Sequence, residues 1–190
     1  MSIRESRAQH GLSLVEQIVF IVVVSVAVAG VLAALNVSTR ASSDPMIQKQ
    51  ALAIAEALLE EVQLQPFTYC DPDDANAATA LDAGGCAATV EAMGPEGETR
   101  SGDPAFDNVN DYQVGGAGGP GLTISPISDL NGTVIPNLAG YSANVQVAAQ
   151  ALGTVPSTDA LLITVSVTGP ANTTVVLHGY RARYAPNALP

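Results

Sequence analysis

The sequence predicts an α+β fold, with a long N-terminal helix packed on a C-terminal antiparallel β-sheet. Three observations carry this expectation: an uncharged run from Ile18 to Leu35, a helical apolar period from Met46 to Gln65, and three β-prone segments beginning at Tyr141. They divide the chain into a polar leader at 1–11, an apolar helix at 12–36, an amphipathic helix at 44–65, a loop-rich region at 66–136 and a sheet at 137–190.

The leader "MSIRESRAQHG" gives way abruptly to apolar residues. Ile18 to Leu35 is eighteen residues without a charge, interrupted only by Ser25 and Gly30. At ~1.5 Å per helical residue this covers ~27 Å of a ~30 Å hydrocarbon core, and Leu12 to Gln17 extend it. One membrane-crossing helix is therefore expected. Arg4 and Arg7 flank it on one side and Arg40 on the other, so the positive-inside rule keeps the N-terminus cytoplasmic and places the rest across the membrane.

"STRASSDP", Ser38 to Pro45, reads as a break followed by a helix start, with Ser43 or Asp44 as N-cap and Pro45 in the first turn. Beyond it Ile47, Ala51, Ile54, Ala55, Leu58 and Val62 fall on one helical face, while Glu56, Glu60 and Glu61 lie mostly elsewhere. This predicts a second, amphipathic helix ended by Pro66.

From Phe67 to Pro136 the chain is rich in Gly, Pro, Asp and Asn and has little periodicity, so long loops with short strands are expected. Both cysteines, Cys70 and Cys86, lie here. In an oxidising compartment they would pair, and closing the loop would stabilise the fold by about 3 kcal/mol. Between Cys70 and Asp111 ten acidic residues face one base, Arg100, within a chain of net charge −11. That balance argues against electrostatic binding of nucleic acid.

Tyr141–Leu152, Ala160–Thr168 and Thr174–Tyr184 are rich in valine and other β-branched or aromatic residues, and "TGPANT" supplies a turn before the last of them. A three-stranded antiparallel meander is expected, covering the apolar face of the second helix.

Candidate chemistry is sparse. "GAGGPG", Gly116–Gly121, satisfies G-x-G-x-x-G but lacks a preceding strand and a following helix, and reads as a loop. "CDPDDAN" and "FDNVND" place Asp71, Asp73, Asp74 and Asn76, then Asp107, Asn108, Asn110 and Asp111, where oxygens could surround calcium. Neither has the twelve-residue calcium loop, and solvated turns are the plainer reading, so no cofactor is expected. Zinc fails on ligand count, because His178 is the one histidine beyond the leader. No hydrolase, metalloprotease or P-loop motif occurs, and no enzymatic activity is expected.

Glu16 is the residue that asks for an explanation. A carboxylate within a membrane helix costs about 2.5–3.5 kcal/mol near the centre and less near an end. It could snorkel to the interface, or neutralise an α-amine created by cleavage just before the helix. Three fates for the N-terminus stay open on the residues alone: an uncleaved anchor, a signal peptide cut near Ala27 to Ala34, and a leader removed at Gly11.

"G-L-S-L-V-E" before about twenty apolar residues resembles the type IV prepilin signal shared by type IV pilins and type II secretion pseudopilins. The resemblance implies a pilin-like fold, cleavage between Gly11 and Leu12 by a prepilin peptidase, N-methylation of Leu12, and pairing of Glu16 with the terminal amine of a neighbouring subunit. It further implies other pilin or pseudopilin subunits, an inner-membrane assembly platform and the bacterial inner membrane as partners. Some pseudopilins brace a loop beside the sheet with calcium. Leu12 stands where phenylalanine is commoner, and the apolar helix lacks the proline many major pilins carry. "ALLEEV", "FDNVNDY" and "GYRARYAP" resemble minor pilins of mannose-sensitive haemagglutinin pili. The alternatives are a type II secretion pseudopilin, whose residues would read alike, and a periplasmic binding domain on a plain signal anchor.

Overall fold

The computed structural model describes residues 13–189, with side chains described for all of these but 36–44. Helix α1 spans Leu14–Leu64, and four strands follow: β1 Leu122–Ile124, β2 Ser142–Ala149, β3 Ala160–Thr168 and β4 Thr174–Ala182. The chain divides between Pro45 and Met46 into two compact units.

In the first unit, Leu14 to Leu35 forms 22 residues of helix, wholly exposed and apolar enough to cross a membrane. Every large apolar side chain from Leu14 to Leu35 stands open, from Val24 at 40% to Leu14 at 77% exposure. Such a surface is stable only against lipid or other apolar helices. Its one hydroxyl, Ser25, donates to the Ile21 carbonyl at 2.7 Å, which removes the cost of an unpaired polar group.

The expected break at Ser38 to Pro45 is corrected: helical backbone is assigned without interruption from Leu14 to Leu64, with Pro45 inside it. A proline forfeits one i→i−4 bond, and good helix formers after it, such as Gln48, Ala51 and Leu52, carry the helix on.

In the second unit the face read from the sequence is the face that is buried. Ala51, Ile54, Ala55, Leu58 and Val62 share one core with Val145, Val147, Ile163, Val165 and Val167, and Ile47 packs at its margin. Each fully buried valine or larger residue contributes about 1.5–3 kcal/mol. The helix approaches the sheet closely at Gly179, where an added Cβ would lie 2.9 Å from Leu59 Cδ1.

The sheet is antiparallel in the order β1-β2-β3-β4, so the expected three-stranded meander has a fourth member. β1 comes from the region expected to be loop-rich, and pairs Leu122, Thr123 and Ile124 with Val145, Asn144 and Ala143. Strands β2 and β4 end at Ala149 and Ala182, short of the expected Leu152 and Tyr184. In β3 the register Val165↔Val145 and Val165↔Leu177 puts alternate residues on the core face.

Region 66–136 is held by specific bonds more than by periodic structure. Cys70 and Cys86 are joined, as expected, by a disulfide with Cα atoms 5.5 Å apart. Arg183, just past β4, lies over the rings of Phe67 and Tyr69 at 3.9 and 4.3 Å, and Asn187 donates to the carbonyls of Ala77 and Ala80. Those contacts tie the C-terminal tail to the disulfide loop.

Candidate functional site

The N-terminal site falls partly outside the described residues: Gly11 and Leu12 are not among them. Glu16 is, and it lies exposed in the first turn of α1, its backbone N–H donating to Ser13 Oγ at 3.2 Å. Ser13 and Glu16 have the S-x-x-E spacing of a capping box, of which the serine half is formed. A carboxylate in this turn also meets the positive end of the helix dipole, so local helix physics already favours it.

The two acidic motifs, thirty-odd residues apart in sequence, meet in space. One carboxylate oxygen from each of Asp71, Asp73, Glu98 and Asp107 lies within 4.8 Å of the others. Asp71 and Asp73 follow the disulfide, where Asp73 N–H donates to Asp71 Oδ1 at 2.7 Å. Glu98 belongs to a turn closed by its own N–H to the Pro95 carbonyl, and Asp107 precedes the 3₁₀ turn Val109–Tyr112.

Other members of the motifs are already engaged in holding loops. Asp74 accepts backbone bonds from Asn76, Ala87, Ala88 and Thr89 at 2.6–2.9 Å, which with Thr89 foremost hold its carboxyl well below the usual range. Asn108 caps the 3₁₀ turn and donates to Thr68 Oγ1 at 2.7 Å, and Asp111 closes the reciprocal half of that capping box through Asn108 N–H. The calcium groupings suggested by the sequence are thus corrected: each loop gives part of its set, and Glu98 joins them.

Crowding raises the proton affinity of this cluster. Burial, then the charges of Asp111 and Asp71, push Glu98 up to about 7, and burial followed by Glu98 and Asp71 pushes Asp107 up to about 7. Burial lifts Asp111 to about 6 against the pull of the Asn108 and Asp107 amides. Beside them Glu91, raised to about 9 mainly by burial and next by Asp111, has a buried Oε1 without a partner, as Glu98 has at Oε2. Chemically the arrangement suits a proton shared between carboxyls. Its all-oxygen donors equally suit a hard cation such as calcium, because ligands across a ~2.4 Å coordination sphere stand ~4.8 Å apart.

No protein-family model, no curated protein and no solved structure matches this chain.

Two further features were not visible in the sequence. An open apolar groove of about 690 Å³ lies between α1 and residues 127–138, lined by Ile54, Leu58, Ile127, Ile135 and Leu138. At its wall Arg100 bonds Glu61, joining the helix to the loops. Glu61 reads from sequence as one of several solvated helix acids, and nothing marks Arg100 as its partner.

The G-x-G-x-x-G stretch has a packing role. Its turns wrap Gln113, whose buried amide donates to the Gly116 and Gly119 carbonyls and accepts from Val147 N–H at 2.7 Å. His178 meets Thr164 Oγ1 across the β3–β4 pair at 3.1 Å and is not a member of the carboxylate cluster.

Proposed function

We propose that this chain is a type IV pilin-like subunit, most like a D-type minor pilin of a mannose-sensitive haemagglutinin pilus, that works by assembly and not by catalysis. In this reading a prepilin peptidase removes residues 1–11, Leu12 is N-methylated, and Glu16 pairs with the new amine of a neighbouring subunit. Before assembly the chain spans the bacterial inner membrane once, its N-terminus cytoplasmic and its C-terminal unit periplasmic. In the filament it supports pilus biogenesis, adhesion or motility.

The observation that carries the reading is the pairing of a bare, 22-residue apolar helix with a carboxylate in its first turn. A plain membrane anchor gains from Glu16 only the local dipole and capping energy of its first turn, whereas an anchor that must also set register against identical helices gains a charge to satisfy. Downstream, an amphipathic face of the same helix packs on an antiparallel sheet, as a pilin-like fold requires.

The deciding experiment is mass spectrometry of the N-terminal peptide of the chain expressed with a prepilin peptidase. A peptide beginning at N-methyl-Leu12 is expected. An intact leader, or a terminus beyond Ala29, overturns the proposal in favour of a plain anchor or a conventional signal peptide.

A further inference from the structure

The two edges of the sheet differ in kind. β1 is three residues long and lies between Pro120 and Pro126, with Gly121 at φ +74° and the Asn144 amide bonded to the Pro120 and Leu122 carbonyls. Short length, flanking prolines and side-chain cover are the usual ways in which an edge is kept from pairing. β4 has none of them. It runs nine residues, Thr174–Ala182, without proline or bulge, and pairs one-to-one with β3 along its whole length. From Thr174 to Arg181 every backbone bond among the described residues runs to β3, which leaves the outward amides and carbonyls unpaired.

We propose that β4 is a pairing edge, and that its occupant is β4 of a second copy of this chain, added antiparallel to make one continuous sheet. The exposed groups are alternating donors and acceptors at strand spacing, a pattern that another extended strand meets. A second copy supplies a strand of matching length, and antiparallel pairing maps β4 onto itself about a two-fold axis.

Local charge permits the same occupant. The chain carries −11 overall, yet "TVVLHGY", Thr174 to Tyr180, has no aspartate, glutamate, lysine or arginine. Two copies therefore meet here without opposing carboxylates. Centred on this stretch, the pairing sends Arg181 of each copy to opposite ends, about 24 Å of paired strand between them. On the outer face Val176 is 47% and Tyr180 37% exposed, so each copy also offers apolar surface to cover.

Seven paired residues bury far less than the ~1,600 Å² of a standard interface, so pairing depends on local concentration. A membrane-crossing helix on each copy provides it by confining copies to one plane. The inference rests on that anchoring alone and not on prepilin processing.

The test uses the full chain in membranes, with single cysteines and a short bis-maleimide cross-linker. Cys70 and Cys86 are bonded to each other, so His178→Cys, Val176→Cys or the β1 control Thr123→Cys each presents one free thiol on the outer face. At least one β4 position is expected to give cross-linked dimer in fivefold or greater excess over Thr123→Cys. Adding a lysine beside it, as Val176→Lys in His178→Cys or His178→Lys in Val176→Cys, is expected to reduce the dimer to the control level. Equal yields at all three positions, no dimer from β4, or a dimer indifferent to the lysine would each overturn the proposal.

Discussion

Glu61 grips Arg100 through two parallel bonds of 2.7 Å, Nε to Oε1 and Nη2 to Oε2, and both side chains are nearly buried. Tyr112 donates to the same carboxylate at 2.9 Å, while Arg100 Nη1 reaches the carbonyls of Ser128 and Asp129. Four segments distant in sequence thereby meet at one fork. Its hydrogen bonds to Glu61 raise the proton affinity of the guanidinium, and burial beside Glu61 pushes the Tyr112 phenol up as well.

Arg100→Met should therefore be costly, because it strands a near-buried carboxylate. A loss of about 3 kcal/mol is expected from urea unfolding, against about 1 kcal/mol for Tyr112→Phe, which removes one neutral donor. An Arg100→Met protein as stable as the parent would mean that Glu61 rehydrates freely.

Stability should depend on pH in a direction opposite to that of most acidic proteins. Glu91, Glu98, Asp107 and Asp111 bind protons more tightly folded than unfolded, up to about 9, 7, 7 and 6. Between their ordinary values and these, the folded state holds more protons, so stability falls as pH rises. Asp74, held below its ordinary value, works the other way and its contribution is lost in strong acid. The melting temperature should peak at about pH 4 or just below and decline toward pH 9. Glu91→Gln should flatten the alkaline side, and an unchanged slope in that variant would contradict the assignment.

Removing the disulfide by Cys70→Ser together with Cys86→Ser should cost about 3 kcal/mol, the closure entropy of a loop this size. Because Cys70 is fully buried and Asp71 follows it, the same change should also move the pH profile. Reduction of the parent protein, followed by circular dichroism on heating, supplies the comparison.

How much of this was legible in the sequence depended on what holds each part. The buried helix face and the two long strand pairs follow periods of 3.6 and 2, so Ala51, Leu58, Val145 and Val165 could be placed from spacing alone. β1 could not, since three residues are too few to display alternation. Residues 66–136 are organised by single side chains that satisfy distant backbone groups, as Asp74, Asn108 and Gln113 do, and such bonds leave no period behind. In the sequence Asp71 and Asp73 stand in one motif and Asp107 in another. Glu98 belongs to neither motif, and only the fold brings it among them.

On the proposed pilin-like reading, Glu16→Ala should leave leader removal and the fold of the C-terminal unit intact while reducing incorporation into filaments at least tenfold. Immunogold counting of sheared fibres, with membrane fractionation as the control for insertion, reads the two effects apart. Full incorporation of Glu16→Ala would sink the assembly role.

The bonds from Asn187 to Ala77 and Ala80 also set an order of events. A ribosome delivers the disulfide loop more than a hundred residues before the asparagine that fastens it. Until Asn187 emerges, the carbonyls of Ala77 and Ala80 lack these two bonds. A chain cut between Ala182 and Asn187 keeps every described strand and loses these two bonds, which makes Asn187 a poor residue to remove.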